Sequence, residues 1–407
     1  MCVCVCVCVC VCVWARFEFP AFVALGHVLK SNKSLVHIDV SENFANNQGI
    51  AAFVPSLHEN TTLTRLDLAK NNFDAVAANI IAQMLQINTA LRKLDLTLNY
   101  LGDQGVQYIA DALHHNRQFA ELKMGAVGMA DAGLGAISKM LRVNKSLTVL
   151  DIRANQAGGL GFRQLCESLQ QDNRTLRRLD MSWTIIDQPK AKVVASCLSG
   201  HPSLTALYLS NCQINDKCLA QIVKILKPPF RHSPNIQGIR SLDLSLNLIS
   251  AKACQVLASV LAKNTPLATL NLRANTFGDE GVHKLIEGLA DNQHLTQLDL
   301  SQCVISQPTT VEHLQKLISA NPVLCYLGKF YPSQDPLTGR VTAMLKQNRR
   351  NWYAQRRLPL CLGLHPKIGM FSPVRRSLAL NPIFDRNVLG IVWSFLENDD
   401  DSILKVD

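Results

Sequence analysis

Several features that would mark an enzyme or a membrane protein are missing from this 407-residue sequence. It has no run of 18 apolar residues, so no transmembrane helix is expected. It also lacks a G-x-x-x-x-G-K-[ST] phosphate loop, an evident Ser/His/Asp or Cys/His grouping, and any recurring metal-ligand spacing. We therefore expect no catalysis, no cofactor, no metal and no small-molecule substrate.

The cysteines form no recognised site either. Eight of the 14 lie between Cys166 and Cys361, and none of these belongs to a Cys-x-x-Cys motif or a Cys/His cluster. That spacing indicates neither a zinc site nor a disulfide framework. Buried free thiols in a reducing compartment are the expectation, and we assign the chain to the cytoplasm, with the nucleus as the alternative.

The other six cysteines alternate with valine between Met1 and Val13. A repeated TG dinucleotide encodes this alternation, so we interpret residues 1–16 as a low-complexity tract that arose as a gene-model artefact. A signal peptide is the rival interpretation, but the tract has neither a basic leading segment nor a small-x-small cleavage site.

Leucine spacing reveals an internal repeat. The second leucine of each L-x-x-L-x-L segment recurs at intervals of 28, 28, 28, 28, 29, 28, 35, 28, 28 and 29 residues. These anchor positions are Ile38, Leu66, Leu94, Leu122, Leu150, Leu179, Leu207, Leu242, Leu270, Leu298 and Leu327. A fixed period of this length indicates a stacked repeat architecture rather than several globular domains.

Each repeat has the same internal order. An alternating segment such as Leu91–Leu96 predicts a strand, and a helix follows whose apolar face includes Val106, Ile109, Ala110 and Leu113 in the third repeat. Between them stands a residue expected to bond the turning backbone in a ladder from repeat to repeat. This position is asparagine in six repeats, namely Asn43, Asn71, Asn99, Asn155, Asn247 and Asn275. The other four repeats have Val127, Thr184, Cys212 and Cys303 there.

A second asparagine precedes the first leucine of nearly every strand by three residues. Because asparagine tolerates the left-handed conformation, we expect it to end each helix in that conformation. The positions are Asn32, Asn60, Asn88, Asn116, Asn144, Asn173, Asn264, Asn292 and Asn321.

Residues 17–327 resemble the ribonuclease-inhibitor-like class of leucine-rich repeats. The L-x-x-L-D-L-S-x-N pattern that ends at Leu242–Asn247 and the G-D-E-G-V of Gly278–Val282 carry this resemblance. It implies an α/β horseshoe solenoid, with a parallel sheet on the concave side and helices on the convex side. The class includes ribonuclease inhibitors, Ran GTPase-activating proteins and the sensor ends of innate-immune receptors, so it implies no single function.

We divide the chain into the tract at 1–16, an array of 10–11 repeats at 17–327, and a basic tail at 328–407. The helix within Pro20–Leu29 has no strand before it, so we expect upstream sequence to have been lost or replaced by the tract. An insertion around Lys227–Pro234 adds seven residues to one repeat. The tail carries 12 basic and 7 acidic residues, and we predict a cap helix over Thr342–Arg357 and a last helix over Asn387–Glu397.

One column of strand residues facing the concave side reads mostly aspartate, which we expect to be neutralised by a neighbouring column that includes His37, Arg65, Lys93 and Arg178. Departures from the repeat consensus are more informative, because aromatic and arginine side chains dominate binding energy. They fall on consecutive repeats, so we predict one partner-binding patch formed by Lys123, Arg153, Arg178, Trp183 and Tyr208.

These observations favour a non-catalytic scaffold or regulatory subunit that binds another protein. The net charge of +10 disfavours binding of basic ribonucleases, and we expect no nucleic-acid partner. A Ran-type GTPase activator is the first alternative, although its family uses an early-loop arginine, and Ser41–Gln48 and Ala69–Ala75 contain none. A fragment of an innate-immune sensor is the second, and it would need an upstream nucleotide-binding domain.

Overall fold

The computed structural model describes residues 3–6, 9–11, 19–43, 45–226, 238–263, 265–328 and 336–356. Twelve strands and twelve α-helices occur within these residues. The strands are β1 Val3–Cys6, β2 Val9–Val11, β3 His37–Asp39, β4 Arg65–Asp67, β5 Lys93–Asp95, β6 Glu121–Lys123, β7 Val149–Asp151, β8 Arg178–Asp180, β9 Ala206–Tyr208, β10 Ser241–Asp243, β11 Thr269–Asn271 and β12 Gln297–Asp299.

A helix follows nearly every strand and packs on the helices of the neighbouring repeats. The helices are α1 Phe19–Ser31, α2 Asn46–Phe53, α3 Ala75–Ile87, α4 Gly102–Leu113, α5 Asp131–Val143, α6 Gly159–Gln171, α7 Gln188–Leu198, α8 Asp216–Ile222, α9 Ala251–Leu261, α10 Gly278–Leu289, α11 Pro308–Ala320 and α12 Pro336–Arg356. Short 3₁₀ turns at Val54–Leu57 and Val223–Leu226 extend α2 and α8.

The sheet is open and runs in chain order from β1 to β12. All pairs from β2 onward are parallel, and successive anchor leucines face each other, as Leu66 faces Leu94 and Leu94 faces Leu122. Strands lie roughly 4.8 Å apart, whereas helices need about 10 Å. Because the helices demand more width, they take the outer side of an arc, and the predicted leucine-rich-repeat solenoid is confirmed.

The predicted asparagine ladder is present. The Asn71 side-chain amide donates to the Val40 carbonyl of the preceding repeat at 2.9 Å, and Asn71 Oδ1 accepts from the Asn43 backbone amide at 3.2 Å. Cys212 and Cys303 donate to the equivalent carbonyls, Met181 at 3.4 Å and Leu272 at 3.1 Å. A thiol therefore substitutes for the amide as the donor to these carbonyls.

The helix-ending asparagines act differently from our expectation. Asn88 and Asn144 have φ values of −68° and −65°, so the left-handed conformation predicted for them is wrong. The side chain instead stabilises the turn by hydrogen bonds. Asn88 donates to the Leu57 and Asn60 carbonyls and accepts from the Leu91 amide at 2.8 Å. Each such asparagine thus ties its own loop to the helix end of the repeat before it. Asn264 lies outside the described residues.

Both ends of the array continue the repeat geometry, so the expectation that no strand precedes the first helix is wrong. Strand β2 pairs in parallel with β3 and places Cys10 opposite Ile38, at the same 28-residue spacing. At the other end, α12 begins at Pro336, six residues before the predicted start, and packs on α11. Val341 and Leu345 are buried there, and Asn348 donates to the Asn321 carbonyl at 3.0 Å. Helix α12 therefore occupies the place of a further repeat helix.

Three predicted features lie outside the described residues: the insertion around Lys227–Pro234, the helix over Asn387–Glu397, and most of the tail after residue 356.

Candidate protein-interaction surface

The sheet face that points away from the helices is here called the concave face. In the strands from β3 to β12 the central leucine or isoleucine is buried, whereas most of its neighbours remain partly exposed on that face, as Arg178 and Asp180 do on either side of Leu179. Because the strands stack in register, equivalent positions form columns that run along the array. A residue that differs from the consensus of its column therefore has the equivalent residues of the adjacent repeats as its neighbours on this face.

The aspartate column first has a structural role. In most repeats its Oδ1 accepts the backbone amide two residues further on, for example Asp180 from Ser182 at 2.9 Å and Asp243 from Ser245 at 2.8 Å. This bond stabilises the turn that leaves the strand. It explains why the repeat consensus uses aspartate there without any need for an acidic binding site.

The predicted neutralisation of this column is confirmed over the first repeats. Asp67 lies 2.9 Å from Arg65 and 3.0 Å from His37, and Lys123 lies 3.4 Å from Asp95. Farther along, Arg178 behaves differently from the prediction. No ion pair to it occurs among the described residues, and its guanidinium carbon lies 5.4 Å from the centre of the Tyr208 ring.

Arg178 and Tyr208 form the centre of the predicted patch. Tyr208 is directly opposite Asp180 on one side and Asp243 on the other, because β8, β9 and β10 pair in register. The aromatic ring holds the arginine by a cation–π contact, which limits the conformations that its long side chain can adopt. A guanidinium placed in this way keeps its N–H groups available to an incoming group.

Trp183 projects from the loop that follows β8. Its backbone φ of +61° lies in the left-handed region, and its amide donates to the Ser210 carbonyl at 2.7 Å. The same left-handed position recurs in every described repeat, at Leu98, Ala126, Ala154, Leu246 and Ala274 among others. At Trp183 this geometry directs a large aromatic side chain outward, with 58% of its surface exposed.

Lys123 and Arg153 also lie near this centre, but both have intramolecular partners. Lys123 lies 3.4 Å from Asp95 and 3.7 Å from Glu121, and Arg153 lies 3.5 Å from Asp151. Burial, followed by repulsion from Asp180, raises the pKa of Asp151 to about 6. The two basic residues therefore differ from Arg178, whose contact is to an uncharged ring.

Sequence reasoning missed three exposed apolar side chains on the loops after β8 and β10. Ile185 is 57% exposed on the same loop, and Leu246 and Leu248 are 46% and 57% exposed on the loop after β10. All three lie four or six residues after an anchor leucine. The turn from strand to helix exposes the side chains at these two loop positions. Scoring those offsets for apolar residues would have found them.

We call the combined region the mid-array surface: Lys123, Arg153, Arg178, Trp183, Ile185, Tyr208, Leu246 and Leu248. It spans the repeats of β6 to β10. Throughout the described part of the chain, no group of three or more His, Cys, Asp or Glu side chains could hold a metal ion. Across the same residues no helix has the length and apolarity needed to cross a membrane.

Comparisons with known proteins agree with this architecture. The Leucine Rich repeat family model matches residues 59–78, 88–110, 200–219, 263–285 and 291–307. The chain is 31% identical over 192 residues to human NACHT, LRR and PYD domains-containing protein 3, which covers 45% of this chain and 18% of that protein. It is 29% identical over 180 residues to pig ribonuclease inhibitor, covering 44% of this chain and 38% of the inhibitor.

Among solved structures, the TLR13–ssRNA13 complex is similar with a TM-score of 0.45 and 20% identity, covering 72% of this chain and 39% of that one. The matched region spans less than a fifth of the NACHT protein and less than half of the inhibitor. Together, the 28-residue strand–loop–helix unit and these matches define the class: the chain is a leucine-rich-repeat protein. Its repeats are similar to those of ribonuclease inhibitor.

Proposed function

We propose that this chain is a non-catalytic protein-interaction module, a scaffold or regulatory subunit, whose partner binds the mid-array surface on the concave side. The observation that carries the proposal is the exposed Trp183 beside the Arg178–Tyr208 pair on adjacent repeats. Leucine-rich repeats give the chain an extended curved face, and these three are residue types that dominate the energy of protein interfaces.

The apolar part of this surface supplies area for burial. Trp183 and Ile185 share one loop, and Leu246 and Leu248 share another two repeats along. A partner that covers them removes apolar surface from water, at about 25 cal/mol for each Å². Arg178 adds directional hydrogen bonds to a carboxylate or carbonyl of the partner. Its guanidinium is already held against Tyr208, so it loses little conformational freedom on binding.

The ion-paired members of the surface contribute less. Lys123 and Arg153 must share or exchange their carboxylate partners before they can bind a new group, and exposed ion pairs are worth about 0–1 kcal/mol. We therefore expect Trp183 and Tyr208 to dominate the affinity, Arg178 to follow, and Lys123 and Arg153 to have small effects.

Quantitative affinity purification with mass spectrometry tests this proposal. The tagged full chain is compared with Trp183→Ala, with Tyr208→Ala and with Tyr100→Ala. Tyr100 provides the matched control, since it is an aromatic side chain with 72% exposure on an equivalent loop three repeats earlier. Loss of the same partners from the first two variants, but not from Tyr100→Ala, supports the proposal. Retention of all partners by all three folded variants contradicts it.

A second candidate function has one observation in its favour. Of the relatives compared above, the NACHT, LRR and PYD domains-containing protein carries further domains by name. This favours the alternative in which the chain is the sensor end of an innate-immune-type receptor. Full-length transcript sequencing distinguishes the two: an in-frame nucleotide-binding domain upstream of the repeats supports the sensor, and its absence supports the free-standing module.

We also propose that the chain works in the cytoplasm. Seven described cysteines are free, and six of them are buried. Thiols in this state suit a reducing compartment. Imaging of the tagged chain tests this placement: cytoplasmic signal supports it, and signal confined to the secretory pathway would contradict it.

A further inference from the structure

Two cysteines of neighbouring repeats lie side by side between α6 and α7. Cys166 stands 16 residues after the anchor Leu150, and Cys197 stands 18 residues after the anchor Leu179. Both are buried, with 1% and 7% exposure, and each thiol has the largest influence on the pKa of the other. The Ser196 hydroxyl oxygen lies 3.8 Å from Cys197 Sγ.

The repeat geometry makes this a point of close backbone approach. In the repeats of β10 and β11 the same two positions hold Ala258 and Gly288, and a Cβ on Gly288 would lie 2.5 Å from the Ala258 Cα. Small residues prevail at these positions elsewhere, as in the pairs Ala82 with Ala112 and Ser138 with Ser168. A disulfide requires Cα atoms roughly 4.4–6.8 Å apart, and few positions on adjacent helices come so near.

The two thiols also differ chemically from the other buried cysteines. Hydrogen bonds from Cys166 and then from Ser196 outweigh burial and lower the pKa of Cys197 to about 7. The same pairing, with burial, raises the pKa of Cys166. Elsewhere burial raises the pKa of the Cys212 and Cys254 thiols to about 12. The Cys197 thiol therefore loses its proton more readily than the other buried thiols, which makes it the nucleophile, and the Cys166 thiol is its neighbour.

We propose that Cys166 and Cys197 form a peroxide-reactive dithiol site that closes to a reversible disulfide. The Cys197 thiolate attacks one oxygen of hydrogen peroxide, the O–O bond breaks, and the departing hydroxide takes a proton to become water. Cys166 sulfur then attacks the Cys197 sulfenic acid, the S–O bond breaks, and a second water leaves with the Cys166 proton. Two thiols lose two electrons in all, and one peroxide is reduced to two waters.

The link would have a defined structural effect. It joins the helices behind β7 and β8, the strands that position Arg153 and Arg178. Adjacent repeats in a solenoid are held only by their shared interface, so a covalent tie between two helices limits their relative rotation. Oxidation would therefore stiffen the array directly behind the mid-array surface.

Peptide mapping of the peroxide-treated full chain tests this site. The folded, reduced protein is treated with one equivalent of hydrogen peroxide, alkylated and digested with trypsin without reduction. Cys166 falls in the peptide 164–174, and Cys197 falls in 193–217 together with Cys212, so fragmentation must assign the sulfur. We expect these two peptides to be joined through Cys197 and to separate after treatment with dithiothreitol.

Variants supply the controls. Cys254→Ser, at another buried helix cysteine, should still form the link, whereas Cys197→Ser should not. In Cys166→Ser the resolving thiol is gone, so dimedone should trap a sulfenic acid at Cys197 roughly tenfold more than at Cys254. The proposal is overturned if the folded wild-type chain forms no 166–197 link, if the link runs to Cys212, or if dimedone labels Cys197 and Cys254 equally.

Discussion

The Arg178 guanidinium rests on the Tyr208 ring of the next strand, 5.4 Å from the ring centre. The earlier basic residues of the same column, His37, Arg65 and Lys93, pair with carboxylates instead. The partner of this basic column changes from a carboxylate on β3 to β5 to an aromatic ring on β8. The chemistry of the concave side therefore changes along the array, although its backbone repeats.

Trp183 permits binding and stability to be separated. Its φ of +61° disfavours side chains other than glycine. Trp183→Gly should therefore change the free energy of unfolding by no more than about 1 kcal/mol, whereas the β-branched Trp183→Val should lower it by about 2 kcal/mol. Both variants should lose partner binding equally. Urea denaturation and a binding assay check this, and binding that tracks stability would count against a contact role for Trp183.

The ladder predicts unequal costs for two substitutions. Asn71 is fully buried and both donates and accepts between repeats, so Asn71→Ala should lower the free energy of unfolding by about 3 kcal/mol. Cys303→Ser keeps a donor for the Leu272 carbonyl and should cost less than about 1 kcal/mol. Denaturant unfolding measures both, and equal costs would remove the ladder from the explanation of stability.

His201 makes the fold sensitive to acid. It occupies the place of the helix-ending asparagine, and its Nδ1 accepts the Leu204 amide at 3.0 Å, which requires an unprotonated nitrogen. Burial, with Arg174 nearby, lowers its pKa from 6.5 to about 4. Because the unfolded chain binds this proton first, stability should be lost as pH falls from about 6.5 to 4, on the order of 3 kcal/mol.

His201→Asn is the control for that titration. Asparagine offers an Oδ1 acceptor to the same amide, as Asn173 does for Leu176 at 2.9 Å, and it does not titrate. The pH profile of unfolding should therefore be flatter for His201→Asn across this window. Identical profiles for the two proteins would assign the acid sensitivity to another group.

Two glycines should respond oppositely to alanine. Gly288→Ala places a methyl group 2.5 Å from the Ala258 Cα and should lower the free energy of unfolding by about 2 kcal/mol. At Gly339, within α12, a Cβ meets nothing within 4 Å, so Gly339→Ala should raise it by about 0.5 kcal/mol. Thermal unfolding of the two variants checks the signs, and destabilisation by both would mean that space is not the deciding factor.

The repeat architecture could be predicted from the sequence because each anchor leucine, ladder asparagine and helix face recurs at one spacing. The ladder between repeats could be predicted as well, but contacts of side chains that depart from the repeat consensus could not, because they depend on which side chain the stack brings opposite. Arg178 was expected to neutralise an aspartate and instead meets Tyr208. Helices end at Asn88, Asn144 and Asn321 as predicted, whereas the helical segments before Asn60, Asn116 and Asn292 end three residues earlier. The role of these asparagines is the side-chain bridge rather than a left-handed backbone. Ile185, Leu246 and Leu248 were missed because single exposed apolar residues look ordinary until the fold places their loops along the same edge of the sheet.

The most direct test of the central claim is calorimetric titration of a partner recovered by affinity purification into the purified full chain. Wild type, Tyr208→Ala and Tyr100→Ala are compared at equal salt concentration. If the mid-array surface holds the partner, Tyr208→Ala should weaken the Kd at least about tenfold, equivalent to roughly 1.4 kcal/mol, and Tyr100→Ala should leave it unchanged. An unchanged Kd for Tyr208→Ala, or an equal loss for Tyr100→Ala, would contradict the claim.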